Sequence, residues 1–538
     1  MFIRRRFVTT ASLAVVIAAS SAAAAANASG KLCVGSTPGC YSTIQAAVDA
    51  AHEGDTITVE PGTFAGGVTI DVSVRLVGAG AGRTIISGGG PVLTIGEFGA
   101  STEPTVSIEG VTITGGITRS SPESVPFTGQ EGVFAAGGGV EIPPNADFSG
   151  GATVTIADSV ITGNRVAPSD TAPFGPPCPG GPCPFAFAGG GGIDSWGTLA
   201  LANTTISDNR VGSASGLSDL ASDAEGGAIE NFLGPLRINN SVIRGNRLSA
   251  TGPNGRFSVG GGIHDSGGTL AVSNSSVTDN SATLAASLPN SVEQLANGGG
   301  MEVAGDVSAA TISSTTISGN SVSMTNTVGD AEAFSGGINV GLDVDFTMSN
   351  SVVADNGVSS ATLAGSSGDA EGDSGAGELL GTINSTRFTG NTVMVTSVAG
   401  DVTAFAGALI DVGSLANSVI SDNHVHASSP SGTVFAAGGA VVLDEPGLTF
   451  RNSEVSGNTI DANGAVGSAQ GGGIFDGPID NGPPGGLLSL VNSEVTGNAL
   501  TGSGGITRRG GGLYIQNLPL TLRHSVIAGN SPDQCFGC

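Results

Sequence analysis

Lysine is almost absent from this chain: none follows Lys31 among 538 residues, and lysine and arginine together number 18 against 45 acids. The formal charge of −27 excludes partners gripped through basic patches, nucleic acid and anionic membrane surfaces foremost. Aromatic residues are few, with one tryptophan and two tyrosines, and only 12% of residues carry charge. Past the first thirty residues no apolar run approaches the roughly twenty residues of a membrane-spanning helix. What the chain has instead is glycine, 90 in all, set among hydrophobic residues that make up 39% and alternate with polar ones. Alternation of that kind belongs to packed strands and argues against a disordered linker.

The start reads as an export leader. Arg4, Arg5 and Arg6 precede an apolar stretch from Ala11 to Ala19, and Ala26-Asn27-Ala28 offers a small-x-small cleavage site, which places a removable signal at residues 1–28. The arginines suit either the general or the twin-arginine route. Their loss would take the formal charge to about −30. The expectation is an exported bacterial protein, extracellular or on the cell surface, monomeric and without a further membrane span. Six cysteines fall into close pairs, Cys33 with Cys40, Cys178 with Cys183 and Cys535 with Cys538, which suits local disulfides in an oxidising compartment. Only the last pair has the Cys-x-x-Cys spacing of a zinc site, and no histidine pattern accompanies it.

A self-similar unit organises the rest. Apolar strand-like runs end in Gly-Asn or Asp-Asn at Asn164, Asn209, Asn246, Asn280, Asn320, Asn356, Asn391, Asn423, Asn458, Asn498 and Asn530, with gaps of 32 to 45 residues. A period in that range marks a solenoid, array or propeller, in which each unit buries its apolar face on its neighbours. In Gly189 to Asn209 a glycine-rich entry leads to three short strands at Ile193, Leu199 to Leu201 and Thr205 to Ser207, enough for one coil. The stretch Arg210 to Glu225 is then either a loop or a second, irregular coil. Upstream, Ile44, Ala47, Val48 and Ala51 share one helical face behind Ser42 or Thr43 as cap.

The residues STIQAAVDAAHEGDTITVEPGTFAGGVTIDVSVRLVGAG resemble the N-terminal cap and first coils of right-handed parallel β-helix proteins of the pectin-lyase-like superfamily. The GGGI or GGAI elements paired with strands ending in GN or DN are similar to the repeats of polymorphic outer-membrane proteins. The resemblance implies an all-β, right-handed parallel β-helix with a short capping helix: cap and first coils over residues 29–118, and repeats over 119–538 with insertions at 119–134 and 165–187. The superfamily includes lyases, hydrolases, esterases and adhesins, so the resemblance speaks for fold rather than activity. Its hydrolases carry paired aspartates, a Gly-His-Gly and an Arg-x-Lys element, none of which is present here.

Two columns carry polar groups. The terminal asparagines read as a structural ladder, each amide stacked on its copy one coil away with its backbone left-handed. A second column follows the glycines: Glu141, Asp194, Glu230, His264, Glu302, Asn339, Asp411, Val442, Phe475 and Tyr514, with Asp265 and Asp476 one residue later. In single coils these acids would stand about 4.8 Å apart, and such a ladder persists only if solvated or neutralised by cations. Calcium is the natural cation, with Glu141, Asp194, Glu230, Asp265 and Glu302 as candidate ligands. The competing account is an exposed acidic edge that maintains solubility, since GGGIDSWGT departs from the calcium-binding nonapeptide at its fourth position. Arg237, His264, Asp265 and Glu302 form the best candidate catalytic group. The periodic placement of these acids favours a non-catalytic scaffold that binds glycans or other envelope components. The alternative is a polysaccharide lyase or glycoside hydrolase, acidic polysaccharides included.

Overall fold

The computed structural model describes residues 31–119, 132–167, 185–212, 221–251, 255–287, 289, 294–363, 366–443, 448–477, 487–516 and 519–538. The leader and the Cys178 and Cys183 pair lie outside these residues, as do large parts of both expected insertions.

The chain is all-β, a parallel β-solenoid of the kind the superfamily resemblance implies, and its strands pair only with their copies in adjacent coils. One repeat makes one coil. The coil of Asn209 starts with a front strand, Ile193–Ser195, continues through a side strand, Thr198–Ala202, and closes with a back strand, Thr205–Ser207. Among the described residues the front and back sheets have 14 strands each and the side sheet 15. Alternation explains why these short segments become strands: Ile193, Leu199, Leu201 and Ile206 point inward and are buried with Ile229, Leu236, Ile238 and Ile243 of the next coil. A short helix, Ile44–Asp49, is capped by the Thr43 hydroxyl and buries Ile44, Ala47 and Val48 against the same core.

Among the described residues, the stretch after each asparagine from Asn164 to Asn498 contributes strands of its own rather than a second coil. It leaves the solenoid as one strand, Arg210–Gly212, and returns as another, Ala221–Glu225, both stacked in parallel on their copies in a 19-stranded sheet. The two layers face one another over a separate core of small residues, among them Val211, Ala224, Leu248, Ala250, Ala282 and Ala296. This fin becomes continuous toward the C-terminus, where outgoing and returning segments merge into single strands such as His424–Ala437. The returning strand meets the front strand at a glycine turn. Gly190 there has φ +62°, and a Cβ on Gly191 would stand 2.3 Å from the Gly227 carbonyl oxygen, so side chains are excluded.

The eleven asparagines form one continuous amide ladder at the corner between back sheet and fin. Asn320 is representative: its backbone N–H and its Nδ2 both donate to Asn356 Oδ1, at 3.0 and 2.9 Å, and Nδ2 also donates to the Val277 carbonyl at 2.9 Å. Its own Oδ1 accepts the same pair of bonds from Asn280. At the C-terminal end Gln534 Oε1 takes the place of the next asparagine, accepting from Asn530 N and Nδ2 at 3.0 Å each. The expected left-handed backbone lies elsewhere. The residue before each ladder asparagine has it, as Gly319 does at φ +66°, and so does the column six residues upstream, from Asp158 to His524, with φ between 48° and 52°. The ladder residues need the buried amide; the upstream residues share the conformation, and their side-chain hydrogen bonds, such as Asn203 to Asp158 and Asn492 to Asn452, are exposed and discontinuous.

Near the ends, disulfides join Cys33 to Cys40 and Cys535 to Cys538. The two asparagine columns are separable by mutation. Asn320→Gly should cost about 2–4 kcal/mol in urea unfolding, because buried donors and acceptors lose partners on both sides, whereas Asn350→Gly should stay within about 0.5 kcal/mol of the parent. Equal losses at both positions would refute the division of roles.

Candidate functional site

The returning fin strand and the front strand meet at the glycine turn to form a re-entrant corner along the solenoid. On the fin side, alternation turns Ala224 into the fin core and so sets Asp223 and Glu225 on the corner face. On the front side, Ile229 faces the main core and Glu230 faces the corner. Strand register then defines the outer front column: Glu141, Asp194, Glu230, His264, Glu302, Asn339, Glu378, Ile410, Val442, Phe475, Tyr514 and Phe536. Two assignments differ from the sequence alignment. Glu378 belongs to the column, hidden because its turn reads GAGE, and Ile410 occupies the place expected of Asp411.

His264 anchors the acidic part. Its Nδ1 lies 2.9 and 3.0 Å from the two Glu230 carboxylate oxygens and 3.3 Å from Glu225 Oε2. Burial alone would discharge the imidazole, but the carboxylates of Glu230 and Glu225 outweigh it and raise its pKa well above the usual value. Burial likewise pushes Glu230 up to about 8, partly opposed by His264. Asp194, 1% exposed, is raised well above the ordinary carboxylate range by burial and then by Glu230, Glu141 and Glu225. Glu302, 8% exposed, is raised by burial while Asn339 Nδ2 donates to it at 3.0 Å. Among the described residues, Asp194 Oδ1 and Glu302 Oε2 have no hydrogen-bond partner.

The polar chain continues past Glu302. Asn339 accepts from the Ser335 hydroxyl, which meets Ser374, which donates to Asp373. Asp373 is raised by burial and by Glu378, and Glu378 is pushed up to about 7 by burial and Asp411. Beyond it the column turns apolar: Ile410, Val442, Phe475 and Tyr514 pack together with Phe405 of the returning fin strand. At the N-terminal end rings cross the same face. Phe134 stacks on Phe187 at 4.8 Å, Phe187 lies 5.8 Å from Phe232, and Phe232 stacks on Trp196 at 4.2 Å. Phe148 and the exposed Phe98 extend the line.

The candidate catalytic group is only partly assembled. His264 and Glu302 are neighbours on the corner face. Asp265 projects the opposite way, in register with the core residue Val303, and is held by Asn231 Nδ2 at 2.7 Å. Arg237 stands exposed on the side sheet, in register with Ala271. The candidate calcium set divides likewise: Glu141, Asp194, Glu230 and Glu302 share the outer column, whereas Asp265 does not. Nor is the column an exposed acidic edge, since Asp194, Glu230 and Glu302 are buried. The column reading missed Glu225, Asp223, Asp373 and Glu378. Their signal was the five-residue spacing of Glu225 with Glu230 and of Asp373 with Glu378 across the turn.

No family model matches this sequence, and no curated protein matches it. Among solved structures the chain is similar to the A-module of the Azotobacter vinelandii mannuronan C-5 epimerase AlgE6, at 13% identity over 91% of this chain and 95% of that one, with a TM-score of 0.22. It is also similar to the AlgE4 A-module from the same organism, at 14% identity over 92% and 94%, with a TM-score of 0.24. At these scores the likeness carries no weight for activity.

Asp476 is another core-facing carboxylate, in register with Ile515, and burial pushes it up to about 7. A raised folded pKa means that the folded state holds a proton the unfolded chain releases near pH 4. The contribution of this group to stability is therefore full below about pH 4 and drains as the pH rises through about 7. Asp476→Asn should raise the melting temperature at pH 8 and change it little at pH 4. A pH-independent effect would contradict the assignment.

Proposed function

We propose that the chain is an exported, polysaccharide-active solenoid that lays an extended glycan along the corner between front sheet and fin, with its reactive centre at Asp194, Glu225, Glu230, His264 and Glu302. The observation that carries this reading is the convergence of unlike titratable groups from four consecutive coils, buried beside an unbroken line of aromatic rings. Buried carboxylates with unpartnered oxygens cost stability, and folds keep such groups where chemistry needs them.

The residues divide the work by type. Rings offer flat apolar faces to the carbon skeleton of a sugar, while the polar floor meets its hydroxyls. A coil height of about 4.8 Å lets a linear polymer meet equivalent positions in successive coils. Glu302 and Asp194, both with raised pKa values, suit proton delivery to a sugar oxygen, and the carboxylates around His264 suit proton removal. The acidic floor repels polyanions, so neutral or amino-bearing chains fit it better than polyuronates.

The test is a panel of neutral, amino-bearing and acidic polysaccharides incubated with the purified protein, scored for retention and for a change in the chain by size and by NMR. A neutral or amino-bearing polymer should be both retained and altered. Trp196→Ala should weaken retention roughly tenfold, about 1.4 kcal/mol, and Glu302→Gln should slow turnover by about 10² with retention intact. Retention without any alteration would return the protein to the class of binding scaffolds; no retention at all would remove the glycan reading.

A further inference from the structure

The cluster around His264 has a geometry that proton chemistry does not require. Its three ligand-type side chains come from three separate strand segments: Glu225 from the fin, Glu230 from the front strand of the same coil, and His264 from the front strand of the next. One oxygen or nitrogen from each lies within 4.8 Å of the others. The imidazole Nδ1 is 2.9 Å from Glu230 Oε1 and 3.3 Å from Glu225 Oε2. Ligands held at about 2.0–2.2 Å from a small cation stand roughly 3.0–3.5 Å apart, so the edges of a coordination shell are already close to their final length. The backbone on both sides of the turn is pinned by strand pairing, which keeps the ligands from relaxing apart.

A second observation points the same way. One coil to either side on the same column stand Asp194 and Glu302, each more than nine-tenths buried and each with a carboxylate oxygen that has no hydrogen-bond partner among the described residues. Asn297 Oδ1, on the fin side one coil beyond His264, is likewise buried and unpartnered. A front ladder of hydrogen-bonded amides would leave no such atoms. We propose that Glu225, Glu230 and His264 bind one divalent transition-metal ion of the zinc or manganese class, flanked along the column by the buried carboxylates of Asp194 and Glu302. An imidazole nitrogen among the ligands and edges near 3 Å favour such an ion over calcium, which takes six to eight oxygens at longer distances. The proposal thus changes both the identity and the ligands of the cation expected of this column: of Glu141, Asp194, Glu230, Asp265 and Glu302 only Glu230 stays a ligand, and Glu225 and His264 join it.

The site deepens the polysaccharide reading without depending on it, because the ion can be counted with no glycan present. Untagged protein with its disulfides kept oxidised is stripped with EDTA, exposed separately to Zn2+, Mn2+ and Ca2+, desalted and assayed for retained metal by mass spectrometry. The expected result is about one zinc or manganese per chain and no retained calcium. His264→Gln should abolish retention, and so should Glu225→Gln, a partly exposed position whose variant is expected to fold; the melting temperature of each metal-free variant verifies that. The parent alone should melt higher with zinc or manganese present than without. Absence of stoichiometric zinc and manganese, or retention unchanged in both folded variants, overturns the proposal. Calcium retained as well as zinc overturns it too and restores an oxygen-only site. None of these results bears on glycan retention, which the polysaccharide panel measures separately.

Discussion

Parallel stacking in register makes every position of the repeat a column, and everything else in this molecule follows from that constraint. A side chain in a coil meets its counterpart about one strand spacing above and below. Apolar columns solve the problem by packing, as Ile193, Ile229, Ile263, Met301 and Ile338 do on the inner front face. Buried polar columns need a residue that can be both donor and acceptor to itself. Asparagine can, with Nδ2 and the backbone N–H giving to one Oδ1, and the ladder therefore extends from Asn164 to Asn530 without a gap.

Carboxylates cannot pair with their own copies in this way. An ionised carboxyl only accepts, so a stack of them repels at each step, and burial removes the water that would screen it. The front column resolves the conflict in three ways along its length. It places His264 against Glu225 and Glu230, raises the proton affinity of Asp194, Glu302 and Glu378, and then gives up charge for Ile410, Val442, Phe475 and Tyr514. The first two are costly substitutes for an amide, and the same corner shows no need of charge for folding where it is apolar. In the front column the acids are confined to the stretch from Glu141 to Glu378, so they are not what holds the coils in register.

The fold was readable because its determinants are periodic. The alternation in Leu199 to Leu201, the glycine turns and the asparagine column each repeat often enough to override local ambiguity, and the coil length follows from their spacing. The backbone conformation of the ladder was misplaced, because Asn320 and Asn350 are the same residue type used for opposite reasons: one for its amide, the other for φ 51°. The fin was not legible either. Its core is built from residues such as Ala224, Ala250 and Ala282, too small to stand out from a loop, and its strands show their pattern only when paired with the next coil. The site suffered from the same limit. Alignment on the glycines found Asp194, Glu230, His264 and Glu302, but Glu225 approaches them only because the fin strand returns beside the front sheet.

That return strand also explains why the polar corner lies where it does. On the side and back sheets the outer face of each coil is open to water, and a polar residue there, such as Arg237, has an ordinary environment. At the front the fin walls one flank, so the same outward-facing position becomes buried: Asp194, Glu230 and Glu302 lie under cover although they sit on a surface sheet of the solenoid. The wall contributes groups of its own, Asp223 and Glu225, whose distance from the front column is set by a glycine turn that no side chain can enter. A corner of this construction gives a solenoid what its plain faces lack, two rows of side chains converging at a fixed angle with restricted access to water. The chemistry proposed for a bound polymer would need that convergence, and the break in the acid column at Ile410 limits the converging carboxylates to one stretch of the corner.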